Sequence, residues 1–144
     1  CKRLSYMRVI SGYLKGRELL GYNVETTRPT MSRVKESMFA SIQNYIDDSI
    51  ILDLFCGTGS LGIEALSMGA SRCYFVDNNK DILRYLNKNI NNLGINSKSI
   101  IVSKDYRDSL LYFKNNNIEL TYVNNHEEQL MGVYRLAKIH LNER

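Results

Sequence analysis

The chain has 144 residues and a formal charge of +4, and 44% of its residues are apolar, which suits one compact domain with a single core. No apolar run reaches the roughly 18–20 residues of a membrane-spanning helix, and residues 1–6 are too polar to be a secretory signal. Three cysteines and two histidines do not have the spacing of a zinc site or of a disulfide framework. We therefore expect no metal, no membrane contact, reduced cysteines and a cytoplasmic location.

The positive charge is concentrated near the N-terminus. Residues 1–35 hold eight basic and two acidic side chains, so this segment carries a net +6 and the remaining 109 residues a net −2. A basic end on a near-neutral body is typical of proteins that bind nucleic-acid phosphates. The same charges also suit an ordinary solvated surface, and the count alone leaves both interpretations open.

The first predicted element is a β-hairpin. Residues 7–12 and 17–20 have the composition of two short strands, and Gly12 and Gly16 supply the positive-φ positions that the intervening turn needs. We assign this hairpin and the basic loop after it to a first unit, residues 1–30.

A loop and a helix are predicted next. Residues 26–30 are expected to form the loop, because Pro29 disfavours helix immediately before it. Thr30 or Ser32 can cap a helix that runs to about Tyr45. Its apolar residues recur at three- and four-residue spacing and are Val34, Met38, Ile42 and Tyr45.

Strands and helices alternate over the second unit, residues 31–144. The predicted strands are 50–55, 73–77 and 99–102, and the predicted helices are 61–66, 80–93 and a short one through 110–113. This alternation is typical of a doubly wound, mostly parallel α/β sheet of the Rossmann-like kind. Near the C-terminus, residues 132–140 alternate between apolar and polar like an edge strand.

A glycine-rich turn follows the first strand of this unit. Residues 57–62 satisfy the pattern G-x-G-x-x-G, and Asp77 lies twenty residues after Gly57. Taken alone, this pattern fits a dinucleotide site, in which the backbone approaches a pyrophosphate and the acid binds a ribose hydroxyl. Asp53 favours a different ligand, because a carboxylate beside the turn repels a pyrophosphate and attracts a cation. S-adenosylmethionine carries an ammonium and a sulfonium and no phosphate, so we predict this methyl donor rather than NAD.

Two further acids follow the next two strands. Asp77 can accept hydrogen bonds from both ribose hydroxyls, and Asp105 can accept from the adenine amino group with Tyr106 nearby as a stacking surface. Carboxyl ends of strands are where open α/β sheets bind ligands. Taken separately, Asp77 could instead cap a helix and Asp105 could be a turn residue. The predicted cofactor-binding residues are Asp53, Phe55, Gly57, Gly59, Asp77, Asn78, Asp105 and Tyr106.

The order of these segments resembles a known family. Residues 8–12, the Arg-Pro-Thr of 28–30, the Arg-Val-Lys-Glu of 33–36 and the run from Asp53 to Leu66 are similar to the bacterial small-subunit (16S) ribosomal RNA guanine-N2 methyltransferases. The likeness extends over about residues 7–113.

The resemblance implies a class I methyltransferase fold and methyl transfer from S-adenosylmethionine to the exocyclic N2 amine of a guanine. It implies cofactor roles for Asp53, Gly57, Gly59, Asp77 and Asp105, and it places the hairpin and the following loop near the RNA or over the cofactor. The expected partner is ribosomal RNA or an assembling small ribosomal subunit, bound by a monomer. The basic residues expected to contact RNA are Arg8, Lys15, Arg17, Arg28 and Arg33.

The chain departs from the family at the catalytic motif. The family carries Asp/Asn-Pro-Pro-Tyr/Phe after its fourth strand, where the polar side chain and a prolyl carbonyl hold the target amine and the aromatic ring stacks on the flipped base. Here the fourth strand is expected near Ile118 and the catalytic loop after Leu120, yet Pro29 is the single proline of the sequence. We expect the chain to lack residues of this loop somewhere between about Leu120 and Gly132, which leaves the catalytic residues unknown. The alternatives are an inactive S-adenosylmethionine- or RNA-binding module and a methyltransferase for another nucleic-acid amine.

Overall fold

A computed structural model describes residues 4–22, 28–116, 118–122 and 135–141. The predicted hairpin is present, with different bounds: β1 (Leu4–Arg8) begins and ends before the predicted 7–12, and it pairs antiparallel with β2 (Glu18–Tyr22). Its turn is closed by a hydrogen bond of 2.9 Å from the Gly16 amide to the Val9 carbonyl. Gly16 has a φ of +87°, so the turn uses a glycine where the sequence predicted one.

The first helix, α1 (Arg28–Ile42), begins earlier than predicted. The expected loop at 26–30 is wrong from Arg28 onward, because a proline at the second position of a helix lacks only an amide that has no intrahelical acceptor there. A 3₁₀ turn, Gln43–Tyr45, follows the helix and shifts the apolar period. Tyr45 is therefore 61% exposed, and Ile46 is buried in its place.

The central sheet contains three parallel strands in the spatial order β5-β4-β3. Their bounds are β3 (Ile50–Leu54), β4 (Arg72–Asp77) and β5 (Ser99–Ser103). The helices of this region are α2 (Ser60–Ser67), α3 (Lys80–Leu93) and α4 (Tyr106–Asn115), with a 3₁₀ turn at Asn96–Lys98. The predicted α/β architecture is confirmed, and none of the described helices combines the length and apolarity needed to cross a bilayer.

The C-terminal strands differ from the prediction. The fourth strand, β6 (Ile118–Tyr122), begins at the expected residue, and β7 (Arg135–Leu141) lies between β3 and β6 and is antiparallel to both. The prediction of an edge strand at 132–140 is therefore wrong. Apolar alternation reports how the two faces of a strand are covered, and it carries no information on whether both edges are paired.

The predicted fourth strand is described as far as Tyr122. Leu120 lies inside β6, where it pairs with Ile139, and the ladder continues to the pair of Tyr122 with Ala137. The expectation that the chain lacks loop residues somewhere between about Leu120 and Gly132 stays a prediction. The rest of the predicted loop falls on residues 123–134, which lie outside the described residues. The catalytic residues expected after Leu120 are consequently assigned to no described position.

Among the residues whose burial is described, two apolar clusters form the core. The smaller one consists of Leu52, Leu54, Val76 and Phe113. The larger one unites hairpin residues with side chains of α1, α2 and α3, and its hairpin members are Met7, Val9, Leu14 and Leu19. The hairpin thus shares a continuous hydrophobic core with the helices that surround the glycine turn.

Candidate cofactor-binding site

The glycine turn, residues 55–59, connects β3 to α2. Phe55, Gly57 and Gly59 have φ values of +56°, +56° and +93°, in the left-handed region that favours glycine. A Cβ added at Gly57 would meet only Ile82 Cγ2, at 4.0 Å. The backbone at Gly57 is therefore open for close approach by a ligand, and the ring of Phe55 is 48% exposed beside it.

The second and third glycines of the motif serve packing. A Cβ on Gly59 would overlap Leu86 Cδ1, and a Cβ on Gly62 would lie 2.7 Å from Cys73 Sγ and overlap the ring of Phe75. Both glycines therefore let α2 lie close to the sheet and to α3. The motif is explained by backbone conformation and close packing, whichever ligand the turn binds.

Asp53 lies at the end of β3 and is 1% exposed. Its Oδ2 accepts a hydrogen bond of 2.9 Å from the Gly62 amide, which fastens the strand end to the first turn of α2. Burial raises the pKa of Asp53 to about 7, against the lowering effect of the Gly62 amide, and the nearby charge of Asp77 raises it further. The carboxyl group is thus held inside the protein, where it positions the turn.

Asp77, at the end of β4, reaches the turn directly. Its Oδ2 accepts from the Gly57 amide at 3.0 Å and its Oδ1 from the Asn79 amide at 2.9 Å. Asn79, two residues later, is the residue that caps α3, so Asp77 is not the cap of that helix. Asn78 is exposed between them. Asp77 is half-buried, and each of its oxygens retains a lone pair for a further donor.

Asp105 follows β5 and caps α4. Its Oδ1 accepts from the amides of Arg107 at 2.7 Å and Asp108 at 3.1 Å, and its side chain is exposed. The side chain of Tyr106 lies outside the described residues. The structure therefore brings Asp53, Asp77 and the glycine turn together, and it places Asp105 at the end of the neighbouring strand.

Four buried polar residues connect the hairpin to the rest of the protein. We call Lys35, Glu64, Ser67 and Asn89 the hairpin junction. All four are at most 3% exposed, and none of them is among the predicted site residues.

Glu64 is the most fully bonded member of the junction. Its carboxylate accepts from the Ile10 amide at 2.9 Å, from the Ser11 amide at 2.8 Å and from the Ser11 hydroxyl at 2.9 Å. Lys35 Nζ lies 3.2 Å from Glu64 Oε1. Burial lowers the pKa of Lys35, and the Glu64 carboxylate opposes this effect. The available sequence signal was an acid inside the apolar run Leu61–Leu66, since an acid rarely faces a core without a partner.

The predicted RNA-contact residues lie mainly on the hairpin. Arg8 Nη2 forms an exposed ion pair of 3.1 Å with Glu18, and Arg17 donates to the Asn92 carbonyl at 2.9 Å. Lys15 and Arg33 are exposed. The side chain of Arg28 lies outside the described residues.

Several chemistries are disfavoured at this site. Burial raises the pKa of the Cys56 and Cys73 thiols, so neither is an activated nucleophile. Within the described residues no cluster of His, Cys, Asp or Glu could hold a metal ion.

Residues 7–125 match the family model Conserved hypothetical protein 95. The chain belongs to this family. The matched range begins inside β1, includes the rest of the hairpin, the junction and the predicted cofactor-binding residues, and ends before β7.

The chain is also similar to curated proteins whose names describe rRNA methyltransferases. The chain is 42% identical over 104 residues to the candidate rRNA methyltransferase YlbH of Bacillus subtilis (strain 168), covering 72% of this chain and 56% of the relative. It is 42% identical over 92 residues to the ribosomal RNA small subunit methyltransferase D of Haemophilus influenzae, covering 64% and 48%. The resemblance to the small-subunit rRNA methyltransferases is thus confirmed, and the chain spans about half the length of these relatives.

A solved structure shares the fold. The protein yhhF of Escherichia coli superposes with a TM-score of 0.69 at 20% sequence identity, covering 97% of this chain and 100% of that chain. At this identity the superposition supports the Rossmann-like α/β architecture of the chain and nothing more specific.

Proposed function

We propose that this chain belongs to an S-adenosylmethionine-dependent enzyme that methylates the exocyclic N2 amine of a guanine in 16S ribosomal RNA. The observation that carries the proposal is the glycine turn held between two carboxylates, Asp53 and Asp77, in a chain that is 42% identical to a small-subunit rRNA methyltransferase. The proposed setting is cytoplasmic, with ribosomal RNA or an assembling small subunit as the partner of a monomer.

The residues around the turn fit S-adenosylmethionine. The open backbone at Gly57 admits a ligand, and the remaining lone pairs of Asp77 accept from two ribose hydroxyls. Asp105 accepts from the adenine amino group, and Phe55, Asn78 and Tyr106 complete the adenosine pocket. When bound, the cofactor supplies an electrophilic methyl group on a sulfonium sulfur.

Asp53 has an indirect role in this site. Its carboxyl group fixes the Gly62 amide, and when it is ionised its charge adds to that of Asp77 to favour a cationic ligand over a pyrophosphate. Replacing Asp53 with alanine should abolish cofactor binding in a protein that still folds. Retained affinity would mean that Asp53 serves only to fasten the turn.

The RNA side of the proposal rests on charge. Arg8, Lys15 and Arg17 project from the hairpin, and Arg28 and Arg33 belong to α1. Each cation that neutralises a phosphate adds to affinity and to salt sensitivity. The groups that orient the guanine amine are assigned to no described residue.

A second candidate function is an inactive module that binds S-adenosylmethionine and RNA. The observation that favours it is the single proline, Pro29, since the family's target-amine motif contains a proline pair. Both candidates use the same cofactor site and hairpin, and they differ only in turnover.

A methyl-transfer assay separates the two. The protein is incubated with S-adenosylmethionine carrying a labelled methyl group and with 16S ribosomal RNA or small subunits that lack the modification, and the RNA is digested to nucleosides. We expect labelled N2-methylguanosine, and an Asp77→Ala variant as control should give none. Another labelled nucleoside would contradict the guanine-N2 assignment, and cofactor binding without any transfer would support the inactive module.

A further inference from the structure

Asn89 joins the hairpin to the glycine turn. Its Oδ1 accepts from the Leu20 amide at 2.8 Å, and its Nδ2 donates to the carbonyls of Leu20 at 3.0 Å and Thr58 at 2.9 Å. Leu20 belongs to β2, and Thr58 lies between the first two glycines of the turn. One side chain, 1% exposed, therefore bridges β2 of the hairpin and the glycine turn.

Lys35 makes a second bridge of the same kind. Its Nζ donates to the Arg8 carbonyl at 3.2 Å and to the Ser60 hydroxyl at 3.0 Å. Arg8 ends β1, and Ser60 begins α2. Thr58 and Ser60 flank Gly59, so the two bridges hold the turn from both sides and reach both strands of the hairpin.

Because of these two bridges, the hairpin and the glycine turn can move little relative to each other. Each hydrogen bond tolerates only a few tenths of an ångström before it weakens, and the Asn89 and Lys35 side chains are buried, so a broken bond leaves a buried side chain with one partner fewer. Gly59 is packed against Leu86 and cannot shift toward it. A displacement of the hairpin must therefore either break buried hydrogen bonds or displace the turn with it.

We propose that Asn89 and Lys35 are positioning residues that couple RNA bound on the hairpin to S-adenosylmethionine bound at the turn, so that each ligand raises the affinity for the other. The inference rests on the proposed function, because it needs both ligands. Coupling of this kind is reciprocal, and its size is the factor by which one ligand changes the dissociation constant of the other.

The test measures this coupling factor. S-adenosylhomocysteine, which binds at the same site and cannot transfer a methyl group, is titrated by calorimetry into the full chain, with and without a saturating short single-stranded RNA of mixed sequence. We expect the RNA to tighten binding by at least about fivefold in the unmodified chain, the lower end of typical allosteric couplings. In Asn89→Ala the factor should fall to about one, because the bridge between β2 and Thr58 is gone.

Two further variants separate coupling from stability. Phe113→Leu alters the smaller apolar cluster, which contains no hairpin residue, and it should lower the unfolding midpoint without changing the coupling factor. Ser60→Ala removes only the hydroxyl that accepts from Lys35 and should give an intermediate factor with a nearly unchanged midpoint. If Asn89→Ala does not fold, Ser60→Ala decides alone.

The results that would contradict the coupling alone differ from the result that would also contradict the proposed function. Tight S-adenosylhomocysteine binding that RNA does not change in the unmodified chain would overturn the coupling and leave the proposed function standing. An unchanged coupling factor in folded Asn89→Ala, or in Ser60→Ala where it decides alone, would do the same. No S-adenosylhomocysteine binding at all would overturn the coupling and the proposed function together.

Discussion

The glycine turn and the hairpin junction lie side by side and differ in how they are encoded. The two carboxylates bond to the turn across short stretches of sequence, nine positions from Asp53 to the Gly62 amide and twenty from the Gly57 amide to Asp77. The bonds of the junction connect residues far apart, such as Ile10 with Glu64, 54 positions apart. The turn is thus a local motif that a reader of the sequence can find, whereas the junction exists only after the chain has folded. The two regions should therefore fail differently: damage to the junction should cost stability first, and damage to the turn should cost ligand binding first.

The largest expected effect is at Glu64. Glu64→Gln removes the charge that faces buried Lys35 and should lower the free energy of unfolding by about 3–5 kcal/mol, because an uncompensated buried charge is costly. Urea denaturation measures the loss.

An exposed pair on the same hairpin provides the matched control. Glu18→Gln removes the partner of Arg8, and both side chains of that pair are more than half exposed, so the loss should stay below about 1 kcal/mol. Equal losses at the two glutamates would show that the junction stabilises no more than a surface ion pair.

The next effect is the pH dependence conferred by Asp53. The folded-state pKa is about 7, against 3.8 for the unfolded chain, so the folded state binds the proton more tightly. The stability that this proton confers is fully present below pH 3.8 and is lost as the pH rises through 7.

Unfolding at two pH values measures this contribution. The unliganded protein should lose about 4 kcal/mol through Asp53 between about pH 4 and pH 8, at about 1.4 kcal/mol per pKa unit. Asp53→Asn removes the titrating group, so the difference between the two proteins isolates it. Parallel stability curves for both proteins would contradict a buried, proton-binding Asp53.

A smaller effect is expected at Gly62. Alanine is the better helix former by about 1 kcal/mol, yet Gly62→Ala should destabilise by about 1–3 kcal/mol, because its Cβ would overlap Phe75 and crowd Cys73. Thermal unfolding reports the change. Combining Gly62→Ala with Phe75→Leu should relieve part of the loss, and a stabilised single variant would show that α2 does not lie this close to β4.

The smallest effect is electrostatic. Replacing Arg8, Lys15 and Arg17 together with alanine should weaken RNA binding and flatten its salt dependence by at most about three phosphate equivalents. The ion pair between Arg8 and Glu18 should keep the change below that limit. Filter binding over a range of salt measures the slope, with Lys114→Ala on α4 as a control that removes one positive charge away from the hairpin. An unchanged slope would make the hairpin an ordinary solvated surface.

Local signals explain which parts of the fold the sequence predicts. Helix α3 ends at Gly94 as expected, because that glycine takes the left-handed conformation, with a φ of +68°. The parallel strands are apolar runs bounded by turns, which is a pattern that short windows detect.

Other parts depend on contacts that a window does not contain. The internal position of β7 depends on pairing with β3 and β6, and the exposure of Tyr45 depends on a 3₁₀ turn. In the sequence, nothing sets Lys35 apart from the other basic residues of 1–35 or Asn89 from the other polar residues of α3. Their roles depend on backbone groups of the hairpin that approach only in the folded protein.

The central claim is that the turn between Asp53 and Asp77 binds a cationic adenosine cofactor and not a dinucleotide. Isothermal titration of the full chain with S-adenosylmethionine and, separately, with NAD tests it most directly. We predict saturable heat with S-adenosylmethionine that disappears in Asp77→Ala, and no binding of NAD. Binding of NAD without binding of S-adenosylmethionine would contradict the account.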